Sequence, residues 1–413
     1  MFELSNNSRV DGRFLLLFLL NLYFLPVIIS GFFIHSPEQW INAWWIYPGV
    51  DKMYPLFGDM RVITAAYECI RKGYNIFQEN PCDPWGRAIN YPPIWYAPAA
   101  IGIDQSNTAI LGITIGFLFF AFTFLLIRKI NYFEAIIYSF ILLSPSIMLA
   151  VERGNNDLII YSLLAVSLLL LSHENILSRG LSYSLIVFAA TLKLFPIFAI
   201  AALLKERRRV VLAIAPFTLG VFITYIFFTL DDLKFVNSVT PRAALMSYGN
   251  MVFFDLISLH FDRIGIDLPR NIGFLFFYTS ILFILVLSWV LVKRRYRFYQ
   301  NEQEQLATPY IDEFRIGACI YLGTFILGNN WDYRLIFLIF TIPQILVWIK
   351  SRSSLQSIST MALSGIVLTV WLSRYSYEIF GLDELINWLL FFYFTYTLAQ
   401  TLPDWLKNWL AGT

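Results

Sequence analysis

The feature that most constrains this chain is a series of apolar runs, separated by short polar linkers, that recurs along its whole length. A helix needs about 20 mostly apolar residues to cross the hydrocarbon core of a bilayer. Runs of about that length read as spans at Phe14–Phe33, Asn107–Ile127, Phe133–Ala150, Asp157–Leu171, Val210–Leu230 and Asn271–Val292. Further spans follow at Phe314–Leu327, Leu335–Ile349, Leu355–Leu372 and Leu385–Leu402. With 58% hydrophobic residues, 39 Phe and only 14% charged residues, a water-soluble fold would have nowhere to bury this surface. The fold class expected is all-α integral membrane, a polytopic helical bundle. Membrane lipid is therefore a partner and nucleic acid is not, because the basic residues occur only as short clusters between apolar runs.

The run Leu181–Leu204 carries Lys193 and Pro196 in its middle. Basic clusters at Arg128–Lys129, Lys205–Arg209, Lys293–Arg297 and Lys350–Arg352 mark the cytoplasmic side, where short basic linkers concentrate. All four share that side only if Leu181–Leu204 goes up and back, turning near Lys193–Pro196. This gives about twelve crossings, two of them short, with both termini cytoplasmic and the first span a retained anchor. The large loops, Ile34 to about Ser106 and Asp231–Arg270, then lie outside, with short turns at Glu152–Asn156 and Asn329–Arg334. Function is expected on that extracytoplasmic face. Two modules are expected, residues 1–230 with the first outer loop (34–106) and residues 231–413 with the second.

The first loop contains "FGDMRVITAAYECIRKGYNIF", Phe57 to Phe77, which has helical periodicity. Ile63, Ala66, Tyr67 and Ile70 fall on one face, Asp59 at the N-cap and Gly73 just past the end. Cys69 and Cys82 share this loop and are candidates to pair in an oxidising compartment. The "YPP" at Tyr91–Pro93 begins an apolar stretch too short to span, expected as an interfacial helix that helps roof a cavity. Three polar spots end hydrophobic runs on the same side: "VERGNND", "TLKLFP" and "NNWDYRL". Arg153, Lys193 and Arg334 are candidates to converge on an anionic group such as phosphate. The plainer reading is that they snorkel to the interface or pair with Glu152, Asp157 and Asp332.

Taken together, "GDMRVITAAYECIRKGYNIF", "YPPI", "RGNNDLIIYSLL", "ATLKLFPIFAIAALLKERRR" and "WDYRLIFLIFTIPQIL", in this order, resemble the GT-C membrane glycosyltransferases. Specifically, they resemble the polyprenyl-phospho-mannose-dependent mannosyltransferases. "YGNMVFFDLI" looks like a weaker copy of an Asn-centred family motif and departs where the family continues with Gln and Ser.

The resemblance implies an inverting glycosyltransferase, with mannose as the sugar. It would move the sugar from a polyprenyl-phosphate donor to a glycolipid or glycan acceptor, at the outer face of a bacterial inner membrane. It implies an acidic general base in the first outer loop; Asp59 matches that position and Asp51, in "VDKMY", is its rival. As a plain helix cap Asp59 would be worth about 1 kcal/mol. A departing polyprenyl phosphate needs positive charge more than a general acid, which gives Lys193, Arg334 and Arg153 the donor-phosphate role. Asn155, Asn156, Tyr91, Asn250 and Asp332 are the further substrate-binding candidates. No cofactor is expected beyond the lipid-linked sugar. Carboxylates holding a divalent metal are compatible with the wider superfamily, and the three His supply no outer cluster. The alternatives are a lipid or polysaccharide transporter or flippase, and an inactive scaffold. Transport is argued against by spans almost free of ionisable residues.

Overall fold

The computed structural model of the chain describes residues 11–33, 50, 53–242, 244–298, 307–351 and 354–411. It is helical almost throughout. In order the helices are α1 (Gly12–Phe33), α2 (Gly58–Arg71), α3 (Thr108–Leu126), α4 (Tyr132–Leu142), α5 (Pro145–Arg153), α6 (Asp157–Leu171), α7 (Ile176–Leu192) and α8 (Arg208–Phe228). They continue with α9 (Leu230–Val239), α10 (Val252–Asp262), α11 (Arg270–Phe298), α12 (Ile311–Leu327), α13 (Ile342–Lys350), α14 (Gln356–Leu372), α15 (Leu382–Gln400) and α16 (Asp404–Ala411). Three longer 3-10 segments, Pro93–Ile101, Phe195–Lys205 and Asp332–Thr341, complete the set. One two-stranded ribbon pairs β1 (Ser247–Tyr248) antiparallel with β2 (Asn330–Trp331). The protein is an all-α polytopic membrane protein.

Among the described residues, five helical stretches are long and apolar enough to cross a membrane: Gln105–Leu126, Arg208–Phe228, Arg270–Arg294, Asp332–Lys350 and Gln356–Tyr375. The stretch expected as one span, Phe133–Ala150, is instead two helices, α4 and α5, bent by 53°. Pro145 opens α5, and its ring cannot continue an existing helix but suits a first turn. Asp157–Leu171 forms as expected. It sits centrally, with Leu158, Ile160, Tyr161, Leu164 and Leu168 all buried. Tyr161 stacks on Phe340 (4.3 Å) and its hydroxyl meets Thr123 at 3.0 Å.

The break expected at Lys193 is present. α7 ends at Leu192, Lys193 is extended (φ −147°, ψ 139°), and a new segment starts at Phe195. That segment runs back alongside α6: Lys193 pairs with Asp157 at the start of α6, and Lys205 donates to the carbonyl of Leu171 at its end (2.8 Å). The two ends of the bundle are thereby defined. At the Leu171 end lie Arg179 with Glu206 (3.1 Å), Lys205 with Asp312 (2.9 Å), Lys350 with Glu134 (2.5 Å) and Arg128 over the Tyr310 ring. The basic linkers at Arg128, Lys205 and Lys350 thus share one end, opposite Asp157.

The first loop is bound down at the Asp157 end. Asp59 is not the N-cap of α2; Phe57 holds that position in the left-handed region (φ 58°), and Asp59 lies inside the first turn. Packing sets this start. The Phe57 ring lies so close to Gly112 of α3 that a Cβ there would fall 2.4 Å from Cγ. Gly73 ends α2 as expected, with φ +85° and its N–H bonded to the carbonyl of Ile70. Of the expected apolar face Ile63, Ala66 and Tyr67 are buried and Ile70 partly so, but Val62, Thr64 and Ala65 are buried too, because α2 is enclosed between α3, α5 and Pro93–Ile101. Cys69 and Cys82 form a disulfide. The "YPP" stretch folds as 3-10 helix; Trp95 accepts from the Tyr67 hydroxyl (2.5 Å) and donates its indole N–H to the Leu192 carbonyl (2.8 Å).

Candidate active site

The polar groups of this end come from places where helices stop. α5 ends at Gly154, which takes φ +54° and lies against Phe57 and Met60; an added Cβ would stand 3.0 Å and 3.3 Å from their Cβ atoms. Only a glycine turns the chain sharply in that space. The turn delivers Asn155 and Asn156 to the interior and starts α6 at Asp157.

Asn155 is the hub. Its Nδ2 donates to Asp59 Oδ2 at 2.6 Å, and its Oδ1 accepts from the Asp157 backbone N–H (2.8 Å) and from Lys193 Nζ (3.4 Å). Lys193 Nζ also meets Asp157 Oδ1 at 2.5 Å. The other carboxylate oxygen of Asp157 faces Arg334 Nε at 3.5 Å. Arg334 donates to Asn330 Oδ1 and lies over the Phe195 ring at 4.9 Å. The rings of Tyr91 and Tyr333 stand 5.7 Å and 5.9 Å from Lys193 Nζ, within cation–π range. On the far side of Asp59, Arg87 Nη1 lies 3.8 Å from Oδ1. Asp83 (2.9 Å) and the Gly58 carbonyl (2.6 Å) fix that guanidinium.

The result is an alternating row: Arg87, Asp59, Asn155, Lys193, Asp157, Arg334. Its members differ in access. The Asp157 side chain is fully buried, whereas those of Asp59, Arg334 and Arg87 keep 17%, 21% and 27% of their surface exposed. From outside, Asp59 and the two arginines are reached first, with Asp157 behind them. Burial pushes the Lys193 ammonium below its ordinary pKa, against the pull of Asp157. Burial likewise holds the Tyr91 phenol well above its usual range, so it stays neutral.

Asp59, Asn155, Lys193, Arg334 and Tyr91 are thus brought together, as expected from sequence. Asn156 is adjacent and buried, and both polar atoms of its side chain lack a hydrogen-bond partner among the described residues. Arg153 stands apart from Lys193 and Arg334, paired with Glu152 at 3.2 Å and against the Met53 sulfur. Asn250 braces the ribbon, donating to the Ile326 carbonyl (2.8 Å). Asp332 is buried and interacts electrostatically with Asp383 and Glu384. Asp51 lies outside the described residues.

Sequence reasoning missed Arg87, Tyr333 and Asn330, and it gave Asp157 only the part of a pairing partner. Asp157 had a signal, since an acidic residue closing "RGNND" at the start of an apolar run is a buried charge that needs a cation. Arg87, in "PWGRA", had none, because only the folded loop brings it to Asp59.

A multi-pass helical membrane protein with one interior charged row at the end opposite its basic linkers is the class that fold and site define. The sequence matches glycosyltransferase family 87 over residues 90–308, more than half of the chain. The chain belongs to glycosyltransferase family 87, and it is a membrane glycosyltransferase. The matched region includes Tyr91, the Arg153–Asp157 turn, Lys193 and Asn250, while Asp59, Arg87 and Arg334 flank it. No curated protein and no solved structure matches the chain.

Proposed function

We propose that this glycosyltransferase moves a hexose, mannose by its resemblance, from a polyprenyl-phosphate donor to a glycolipid or glycan acceptor with inversion. The observation that carries the reading is the Asn155 side chain, which holds Asp59 on one side and Lys193 on the other. A base and a cation held by the same amide side chain are what a single displacement from a phosphate leaving group requires. Asp59 takes the proton of the acceptor hydroxyl. The acceptor oxygen attacks the anomeric carbon from the face opposite the phosphate, and the breaking C–O bond leaves its electron pair on the phosphate oxygen. Arg334 and Lys193 stabilise that anion, while Asp157 serves as their counter-ion before the donor arrives. The unpartnered amide of Asn156 and the neutral Tyr91 offer hydrogen bonds and a ring face to the sugar.

The site is assigned to the extracytoplasmic side of a bacterial inner membrane. Two features support this: the basic linkers gather at the other end, and the disulfide Cys69–Cys82 fits an oxidising compartment. The test is transfer from a panel of polyprenyl-phospho-sugars in reconstituted vesicles, comparing wild type with Asp59→Asn. Transfer by wild type with an inverted anomeric centre, and its loss in the folded variant, is the expected result. Equal transfer by both proteins, or retained configuration, would overturn the mechanism.

A further inference from the structure

The two carboxylate oxygens of Asp59 have different settings. Oδ2 accepts from Asn155 Nδ2 at 2.6 Å, whereas Oδ1 faces Arg87 Nη1 at 3.8 Å, too far for a hydrogen bond but within ion-pair distance. Among the described residues Arg87 is the one cation that close to Asp59. Lys193 acts on Asp59 from beyond Asn155, but in the proposed transfer Lys193 and Arg334 are taken up by the departing phosphate. That phosphate brings a further negative charge to a site that already holds a carboxylate. A base working beside an anionic leaving group needs a cation of its own.

Arg87 is firmly mounted for that role. Asp83, whose side chain is fully buried, accepts from Arg87 Nη2 (2.9 Å), from its Nε (3.1 Å) and from its backbone N–H (2.9 Å). The Gly58 carbonyl, next to Asp59 in α2, takes Nη2 as well at 2.6 Å. The guanidinium lies over the Trp85 ring at 4.4 Å. The turn that carries it is tied to α2 on both sides: before it by the Cys69–Cys82 disulfide, and after it by buried Ile89, which packs with Ala66 and Cys69. Nε and Nη2 are spent on these anchors, which leaves Nη1 for Asp59, with the Met53 sulfur 4.0 Å from it. We infer that Arg87 is the positioning residue of the base. It offsets the charge of Asp59 beside the phosphate and orients the carboxylate so that Oδ1 takes the acceptor proton while Oδ2 stays bonded to Asn155. In that step the acceptor O–H bond breaks, the proton goes to Oδ1, and the electron pair forms the new bond to the anomeric carbon. The inference rests on the proposed role of Asp59.

The test uses the full chain in vesicles, with the polyprenyl-phospho-sugar that wild type transfers. Arg87→Gln is compared with Arg87→Lys, with Asp59→Asn, and with Arg87→Gln combined with Asp83→Asn. The combined variant leaves no orphaned carboxylate in the turn, which keeps a folded protein available. An exposed ion pair contributes at most a few-fold and a buried one about a hundred-fold or more. For this partly buried pair the expected result is a kcat about ten-fold lower in Arg87→Gln and in the combined variant, with the donor KM unchanged. Arg87→Lys should recover part of the loss. Guanidinium added to Arg87→Ala should restore transfer where urea, its uncharged isostere, does not. A wild-type kcat in Arg87→Gln, a loss carried by the donor KM instead of kcat, or equal rescue by urea would overturn the inference while leaving an inactive Asp59→Asn, and the base assignment, intact. Full transfer by Asp59→Asn, or no transfer by wild type from any donor in the panel, would overturn the proposed function itself and this inference with it.

Discussion

Asp157 is the residue whose removal most directly tests the charged row. It is fully buried and is the nearest carboxylate to both Lys193 (2.5 Å) and Arg334 (3.5 Å). Asp157→Asn keeps the shape and leaves two cations facing each other behind Asn155. At an effective dielectric of about 20, a unit pair roughly 4 Å apart is worth about 4 kcal/mol. Breaking a buried pair by deleting one partner costs about 3–5 kcal/mol. Against a total stability on the order of 5–15 kcal/mol, the variant should melt far below wild type in nanodiscs. Adding Lys193→Met to Asp157→Asn should recover part of the loss, because one orphaned charge goes with it. A polyprenyl monophosphate should raise the melting temperature of Asp157→Asn more than that of wild type, since its anion takes the vacated place between the cations. A variant that melts with wild type would refute the view that Asp157 neutralises this pair. A variant that is destabilised but indifferent to the lipid phosphate would refute the assignment of these cations to the donor.

Gly154→Ala forces a side chain into the left-handed region, at about 1–2 kcal/mol, and drives its Cβ toward Phe57. The expected outcome is a lower melting temperature together with slower transfer, because the same turn aims Asn155. Glu68 gives a pH prediction for the outer loop. A hydrogen bond from Lys72, then one from Gln105, holds its carboxyl below the ordinary value of 4.5. With the folded value below the unfolded one, its contribution is complete above about pH 4.5 and is lost as the pH falls through the folded value. Hydrogen exchange in α2, taken relative to the intrinsic amide rate at each pH, should lose protection over that acid range, and Glu68→Gln should abolish the step.

The apolar helices were legible because the bilayer makes hydrophobicity almost the sole criterion, and Asp157–Leu171 was bounded to the residue, although only five stretches among the described residues are long and apolar enough to cross on their own. The break at Lys193 was legible for a related reason: an ammonium beside a proline inside an apolar run demands a turn, and charge sidedness demanded the same one. The break at Pro145 was passed over, although Ser144 and Pro145 are ordinary helix-start residues, because the residues around them are apolar enough to read as one span. Asp59 was found but given the wrong local setting. A helix start fixed by Phe57 packing on Gly112 is a tertiary fact, invisible to capping rules. Arg87 reaches Asp59 only through Asp83 and the Gly58 carbonyl, contacts that no periodicity encodes.

The placement of these charges on helix ends carries the electrostatic argument one step further. Asp59 and Asp157 each lie in the first turn of a helix, where exposed N–H groups favour an anion, and Lys193 follows the last turn of α7, where carbonyls favour a cation. Each is stabilised by its own backbone as well as by its neighbours. Arg334 is the exception: it sits in the first turn of Asp332–Thr341, a positive end, where a guanidinium is disfavoured. It is held there by Asn330 and by a longer contact to Asp157, while Lys193 takes the shorter one. Of the two cations, Arg334 therefore has the more to gain from an incoming anion, and its partial exposure lets one reach it. A phosphate arriving there would meet the guanidinium beside a helix start, whose local field favours an anion.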